Sequence, residues 1–470
     1  MTTEVDPRLI RVASDIARLG GRALVVGGWV RDRLLGLSSK DVDVEVFGLS
    51  PERLEAALAA HGTVLTVGRS FGVYKVKGLE ADFSLPRRDS KVAPGHRGFE
   101  VTLDPALDFE GASRRRDFTV NSIALDPLNG EIIDPHGGRE DLAGHRLRAT
   151  DPEHFAEDPL RGLRAAQFIA RFGLDPDPRL IALCRELGLG ELPGERIFEE
   201  FRKLLLLGTR PSCGLDFLRA SDQVRFFPEL AALIGLPQDP FQHPEGDVWT
   251  HTVMVADVAA TLRGEGDGEA LMFAALCHDL GKPATAQEVG GHVLSPGHDR
   301  AGVEPTRTLL ARMRAPERLV ACVSALVADH LAPARLVAEG APSPAYRHLA
   351  RRLESAGADV TLLERLARAD HLGRATPDAR AGRAAWSPVF LARAEAALVG
   401  LRAPPAAVAG RHLIARGLTP GPDFARILDA CRDIQDETGW DDPDRILDRV
   451  LSGEDPAPDP QGRHPPPDPR

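Results

Sequence analysis

Aromatic residues are scarce: 18 Phe, 4 Trp and 2 Tyr make up 5% of the 470 residues. The abundant Ala, Leu and Arg favour helix. Cysteines are few, and Cys184, Cys213, Cys277, Cys322 and Cys431 are scattered with no C-x-x-C. Buried reduced thiols are expected rather than a disulfide framework. No apolar run approaches a membrane span, and the opening MTTEVDPRLI has neither a basic start nor an apolar core. A cytoplasmic chain with no membrane partner is expected. Positive charge is in deficit, with a net charge of −11 and a pI near 5.8. That argues against indiscriminate nucleic-acid binding, although a local basic cleft can exist on an acidic protein. Internal repeats are absent, and the length suits three or four structural units.

What is present centres on Ala23–Phe47, ALVVGGWVRDRLLGLSSKDVDVEVF. A short apolar run ends at Gly27-Gly28, helical spacing follows over Trp29–Leu35, and Asp41–Phe47 alternates strictly. A strand has a side-chain period of two, so Asp41 and Asp43 share a face. Two like charges that close repel, and a cation between them relieves this. Hard oxygen ligands select magnesium or manganese, ions that can hold the attacking and leaving oxygens of a phosphoryl displacement. The glycine pair lets backbone approach a phosphate, and the helix after it aims free N–H groups there. Arg31 is placed to clamp a triphosphate, with Asp32 holding the arginine. The glycine spacing is neither that of a P-loop nor that of a dinucleotide fingerprint.

GGWVRD followed by KDVDVEVF resembles the nucleotidyltransferase head of the polymerase-beta superfamily. In particular it is similar to the class II bacterial tRNA nucleotidyltransferase and poly(A) polymerase family. RRDFTVNSIALD, from Arg115 to Asp126, resembles a second signature of that family. The resemblance implies that Gly27, Gly28, Arg31 and Arg116 hold the triphosphate and that Asn121 shapes the pocket. It implies a magnesium site at Asp41 and Asp43, with Asp82 where a third carboxylate often lies. Residues 86–98, PRRDSKVAPGHRG, lack periodicity and read as a mobile loop.

From Phe155 the chain reads as helix, and Asp158 and Arg161 are three apart. The plain reading is a cap plus an ion pair. An Asp that accepts from an exocyclic amino group, beside an Arg that donates to a ring nitrogen, fits cytosine and adenine. Uracil and guanine carry a ring N–H where the pair needs an acceptor, and unsatisfied polar groups make such discrimination large. EDPLR, Glu157–Arg161, resembles the family's protein template for CTP and ATP, with Arg164 as a further contact. Where the family shows another arginine, this chain has Gln167, and Arg171 lies one turn further on. ERIFEEFRKLL resembles the family's neck helix.

A second chemical pattern occupies residues 243–375. HDLGK ends an apolar helix, with a His upstream and an Asp on a later helix, and resembles the HD phosphohydrolase superfamily. The residues carried over are His251, His278, Asp279 and Asp370, with His298 as a further ligand and His330 as a weaker one. Imidazole and carboxylate suit a divalent transition metal that polarises phosphate and activates water. Relatives with this appended domain show phosphatase and cyclic phosphodiesterase activity.

The expected fold is α+β: a small mixed sheet with helices in the head, then an all-helical neck, body and HD domain. The expected parts are a head over 1–148 and a neck and body over 149–240. An HD domain over 241–375, a helical tRNA-binding segment over 376–455 and a Pro-rich tail over 456–470 follow. The expected activity is addition of C and A to the 3′ end of tRNA from CTP and ATP. Alternatives are an A-adding or CC-adding enzyme, a poly(A) polymerase, an HD phosphohydrolase and a signalling uridylyltransferase.

Overall fold

The computed structural model describes residues 5–39, 41–67, 72–91, 99–190, 192–264, 267–397, 399 and 402–452. It forms two compact units. The first joins Met1–Leu236 with Thr308–Ala315, and the second joins Pro237–Arg307 with Pro316–Arg470.

The first unit is built on a seven-stranded mixed sheet. Its strands are β1 Arg22–Val26, β2 Val42–Phe47, β3 Val64–Val67, β4 Val73–Val76 and β5 Ala81–Ser84, with β8 Ala124–Leu125 and β9 Ile132–Ile133. Their spatial order is β3-β4-β5-β2-β1-β8-β9. β2 pairs antiparallel with β1 but parallel with β5. A parallel neighbour requires a crossover. It begins with the helix Pro51–Ala59, which Ser50 caps and Pro51 opens, and returns through the β3–β4 hairpin. Leu54, Ala57 and Leu58 bury the inner face of that helix, as their spacing requires.

The register of β2 positions the chemistry. Asp43 lies opposite Val26, the last residue of β1, and opposite Asp82 of β5. Val44 and Val46 are wholly buried, each stabilising the sheet by roughly 1.5–3 kcal/mol. On the sheet's side wall Leu24, Val26, Phe47, Phe109, Ala112 and Ala124 form one apolar cluster. Residues 86–98 were expected to be loop throughout. Instead β6 Arg87–Lys91 pairs antiparallel with β7 Phe99–Leu103; residues 92–98, like the expected tail 456–470, lie outside the described residues. Apart from the short parallel pair Arg146–Leu147 and Asp175–Pro176, the rest of this unit is helical, with Arg161–Phe172, Gly194–Leu207 and Pro211–Ala220 packed together.

The second unit is almost entirely helical. Its centre is the helix Gly268–Cys277, buried on every side, with Val248–Thr261, Glu317–Asp329 and Val360–Leu372 around it. The stretch Glu317–Ala338 is long and apolar enough to cross a membrane, contrary to the sequence expectation. More than half of its apolar window is buried within the protein, and Asp329 and His330 interrupt it, so its hydropathy is that of a core helix. A second apolar cluster of Val408, Leu413, Cys431, Ile446 and Leu447 orders the C-terminal helices. All five cysteines are free thiols.

Candidate functional site

Two clefts meet in the first unit at Asp43. One, of about 350 Å³, is lined by Gly27, Gly28, Arg31, Asp43 and Arg115–Asp117, with Asn121, Asp158, Arg161, Arg164 and Phe168. The other, of about 440 Å³, is lined by Asp41, Asp43 and Asp82 with Glu80 and Lys75. The first is rich in guanidinium groups and the second in carboxylates.

Gly27 is needed twice over at the floor of the basic cleft. Its φ is +73°, a region that side chains disfavour. A Cβ there would also lie 2.9 Å from a guanidinium nitrogen of Arg116. Gly28 begins the helix Gly28–Leu34, where a Cβ would stand 3.5 Å from Arg31. Arg31 is buried and fully oriented. Its Nε and one terminal nitrogen donate to Asp32 Oδ1 at 2.8 and 2.6 Å, and the other terminal nitrogen donates to Asn121 Oδ1 at 2.7 Å. Phe168 and Phe172 flank its guanidinium, 5.0 and 4.4 Å from centroid to Cζ, a favourable cation–π arrangement. Asp32 therefore does hold the arginine.

A chain of polar contacts continues from Asn121. Its Nδ2 donates to Asp117 Oδ1 at 2.9 Å, and Arg164 Nε donates to Asp117 Oδ2 at 2.8 Å. Glu200, on the helix Gly194–Leu207, lies 3.6 Å from Arg164. Asp117 is buried, which opposes its charge, but Arg164 and the Asn121 and Phe118 donors outweigh burial and hold its pKa below the usual carboxylate range.

Sequence reasoning gave Glu45 no role. It is wholly buried, with Arg115 3.0 Å from Oε1 and Arg116 3.4 Å from Oε2. The only sequence signal was the continued alternation after Asp43. Its partners lie 70 and 71 residues away.

Asp43 reaches water, yet the protein packed around it displaces solvent and pushes its pKa up. Arg116 opposes this, while Asp82, Asp41 and Glu45 add to it. Asp82 itself accepts from Lys75 Nζ at 2.9 Å. An oxygen-only donor set crowded enough to disfavour its own charge fits a hard cation such as magnesium.

The Asp158–Arg161 pair differs from its expected form. Helix begins at Arg161, and Asp158 is extended with φ −117° and ψ 101°. Pro159 follows it and disfavours helical backbone at the preceding residue. Asp158 accepts the Leu160 N–H at 3.1 Å and lies 3.2 Å from Arg196. Arg161 donates to the carbonyls of His154 and Arg115 at 3.0 and 2.7 Å. Both still line the basic cleft, so a turn rather than a helix face brings them together. Gln167 is 2% exposed and is not among the lining residues described.

The second unit gathers a different set. His278, His298 and His330 each place Nδ1 2.7–2.8 Å from the main-chain carbonyl three residues earlier, of Ala275, Ser295 and Val327. A carbonyl only accepts, so each Nδ1 carries hydrogen, and Nε2 presents a lone pair wherever the ring is neutral. Burial opposes charge on His278, but the neighbouring Asp279 outweighs it and pushes its pKa up. The Nε2 atoms of His298 and His330 nevertheless face each other at 3.3 Å. Burial and the neighbouring His278 push the His330 pKa down to about 4, so it carries no second proton at neutral pH. Asp279 Oδ1 is 3.4 Å from His298 Nε2, and Asp279 Oδ2 is 3.3 Å from His278 Nε2. Three overlapping groups have metal-ligand spacing: His251, His278 and Asp279; Asp279, His298 and His330; and His243, Glu245 and His251. Lone pairs that converge at about 3 Å suit shared coordination by one ion.

All four first-choice residues of this cluster therefore lie together, and His330 is as central as His298. Asp370 Oδ1 lies 3.0 Å from His251 Nε2, and Arg374 pairs with Asp370 at 3.3 Å. Burial opposes charge on Asp279 and Asp370, but His278 and Lys282 for the first, and Arg374 and His251 for the second, hold both far below the usual range. Glu245 was not foreseen. Its Oε1 lies 2.9 Å from Nδ1 of both His243 and His251, on the side of the His251 ring opposite the Nε2 that faces Asp370.

The geometry agrees with comparison to known proteins. A poly(A) polymerase head-domain model matches residues 23–148, and an HD-domain model matches residues 248–374. The multifunctional CCA protein of Xylella fastidiosa strain M23 is 40% identical over 315 residues, 64% of this chain and 73% of that protein. The chain belongs to the multifunctional CCA protein family. A second member of the family, from Stenotrophomonas maltophilia strain K279a, is 40% identical over 316 residues, 65% of this chain and 75% of that protein. The fold is that of the CCA-adding enzyme of Bacillus stearothermophilus solved with CTP. That structure has a TM-score of 0.65 and 23% identity, and the match covers 96% of this chain and 98% of that one. In this CCA-family chain the α+β head and helical remainder stand as expected. Asp41, Asp43 and Arg116 fall within the first matched segment and His251, His278, Asp279, His298, His330 and Asp370 within the second, whereas Asp158, Arg161 and Arg164 lie outside both.

Proposed function

We propose that this chain restores the CCA end of tRNA, adding C and A to the 3′ terminus from CTP and ATP and releasing pyrophosphate. The observation that carries the reading is that Asp43 borders both clefts. A triphosphate enters the basic cleft, where Gly27 and Gly28 admit its oxygens and Arg31 and Arg116 donate to them. The RNA 3′ hydroxyl approaches the acidic side. Its oxygen forms a bond to the α-phosphorus as the bond to the bridging oxygen of pyrophosphate breaks. Asp41 and Asp43 would hold magnesium, which would supply activation of the hydroxyl and neutralisation of the leaving charge. Asp158 accepts from the exocyclic amino group of C or A, and Arg161 donates to the adjacent ring nitrogen, with Arg164 beside them. Lost hydrogen bonds exclude U and G. The substrate pool places this work in the cytoplasm.

The test uses tRNA transcripts ending before CCA, after C and after CC, with each nucleotide alone and in mixture. Stepwise growth by C, C and A that then stops is expected. Addition of A only to the CC-ended transcript would make the chain an A-adding enzyme. Long A tails would make it a poly(A) polymerase, and no growth would overturn the reading.

The second unit is proposed to hydrolyse phosphate esters. The facing Nε2 atoms of His298 and His330 carry this reading. His251, His278, Asp279, Asp370, His298 and His330 would hold a divalent transition metal, which would supply polarisation of the ester and a lowered pKa for water. Water adds to phosphorus, the ester P–O bond breaks, and the proton passes to the departing oxygen. Lys282 and Arg374 bring positive charge to the cleft. Hydrolysis of bis-p-nitrophenyl phosphate should require added nickel, cobalt or manganese and stop with EDTA. Metal-independent hydrolysis, or none with any metal, would sink this assignment.

A further inference from the structure

Phe241 is 80% exposed, far more than any other large apolar side chain described. Water disfavours so large an apolar face, so its setting matters. It lies on the loop that carries Gln238, Asp239, Gln242 and His243, all of which line the cleft above the metal-ligand cluster. The facing wall is the hairpin Gln287–Val289 and His292–Leu294, whose Val293 and Leu294 line the same cleft. Phe241 adjoins the lining residue Gln242 on one wall and His292 adjoins Val293 on the other, and their rings stand 6.2 Å apart at 43°.

The rim is built rather than incidental. Asp239 Oδ1 accepts the Phe241 N–H at 2.8 Å, while its Oδ2 lies 2.6 Å from His292 Nδ1. One carboxylate therefore fixes the backbone under one ring and the edge of the other. The same loop reaches the floor. Gln238 Oε1 accepts from Lys282 Nζ at 2.6 Å, and that ammonium also lies 2.7 Å from Asp279. Further along, Glu245 lies 2.9 Å from His251 Nδ1. A ligand seated here meets an aromatic rim, then the cations Lys282 and Arg374, then the cluster.

We infer that Phe241 and His292 form a stacking platform for the base of a nucleotide phosphoester whose phosphate lies at the HD cluster. The inference rests on the hydrolase reading for the phosphate end but makes a separate claim about the base. A cleft of about 270 Å³ is too small to enclose a drug-sized ligand, so the base of a nucleotide seated there lies at the rim. Stacking tolerates every base, because each has a π-face. The platform therefore selects nucleotides over other phosphate esters without choosing among bases. The occupant is a nucleotide whose phosphate ester lies at the cluster and whose base lies against Phe241, free or at the end of an RNA.

The experiment compares the full chain with Phe241→Ala and Phe241→Trp, with metal present. Hydrolysis of adenosine 2′,3′-cyclic phosphate is set beside that of β-glycerophosphate, an aliphatic monoester with no ring to stack. Phe241→Ala should raise KM for the nucleotide about tenfold with kcat held, leave β-glycerophosphate unchanged, and be rescued by Trp. An RNA ending in a 2′,3′-cyclic phosphate, run in parallel, tells which source binds more tightly. Equal losses on nucleotide and aliphatic ester, or no loss on either, overturn the platform. A direct readout separates this from the hydrolase reading. Fluorescence of 2-aminopurine riboside monophosphate should be quenched by the wild type and not by Phe241→Ala. Quenching without hydrolysis would remove the hydrolase reading and keep the platform. Absence of quenching by the wild type would remove the platform whatever the hydrolysis shows.

Discussion

Arg164 and Asp117 are joined by a hydrogen bond from Nε at 2.8 Å and an ion pair through a terminal nitrogen at 2.6 Å, both to Oδ2. The bond ties the helix Arg161–Phe172 to the turn that carries Arg115 and Arg116. Asp117 has a depressed pKa in the folded chain, so its contribution to stability is present above its unfolded value, about 3.9, and is lost as pH falls through the folded value. Asp117→Asn should cost about 1–3 kcal/mol near neutral pH, because a charge-assisted hydrogen bond is lost while Arg164 keeps Glu200 at 3.6 Å and some contact with water. The gap in stability between the two proteins should be constant from pH 5 to 8, as about one pH unit above 3.9 the carboxylate is ionised in both states, and narrow in more acidic solution. Chemical denaturation over that range is the check.

Asp41→Ala and Asp43→Ala should each abolish nucleotide transfer and leave folding intact. The reason lies in crowding: Asp41 and Asp82 both raise the Asp43 pKa, so removing one charge relieves repulsion. Thermal melting without magnesium should show Asp43→Ala as stable as the wild type or slightly more so. Retained CTP incorporation in either variant would contradict the assigned roles.

Glu45→Gln tests the arginine anchor. A neutral amide keeps the shape but not the charge that holds Arg115 and Arg116. KM for CTP and ATP should rise about tenfold, equivalent to about 1.4 kcal/mol, with a smaller change in kcat. Steady-state kinetics at saturating tRNA measure the split. Glu45→Asp, which restores the charge, should recover part of the loss.

Gln167 replaces the arginine that the family resemblance implied, and its Oε1 is buried with no hydrogen-bond partner. Gln167→Leu should be neutral or stabilising, since an unpaired buried polar group is removed. Gln167→Arg should destabilise the fold by burying a charge, and should not tighten CTP or ATP. Melting temperature and nucleotide KM together decide this, and a tighter KM would return Gln167 to the nucleotide site.

The legible features were those whose partners are close in sequence. Gly27, Gly28, Asp41 and Asp43 need only a strand, a turn and a period of two. HDLGK needs only the end of one apolar helix. His330 was weighted too lightly because a lone histidine looks the same whether it packs or ligates. Its Nε2 meets that of His298 only after two separate helices converge.

By itself the sequence determined which backbone elements form and which residue types they carry, because hydrophobic period, caps and glycine turns act within a few residues. Tertiary structure alone decided which charges are buried together: Glu45 between Arg115 and Arg116, Asp117 against Arg164, Glu245 behind His251. A charge leaves water only when its partner is already in place. That partner is chosen by the packing of distant elements, not by its neighbours in the chain.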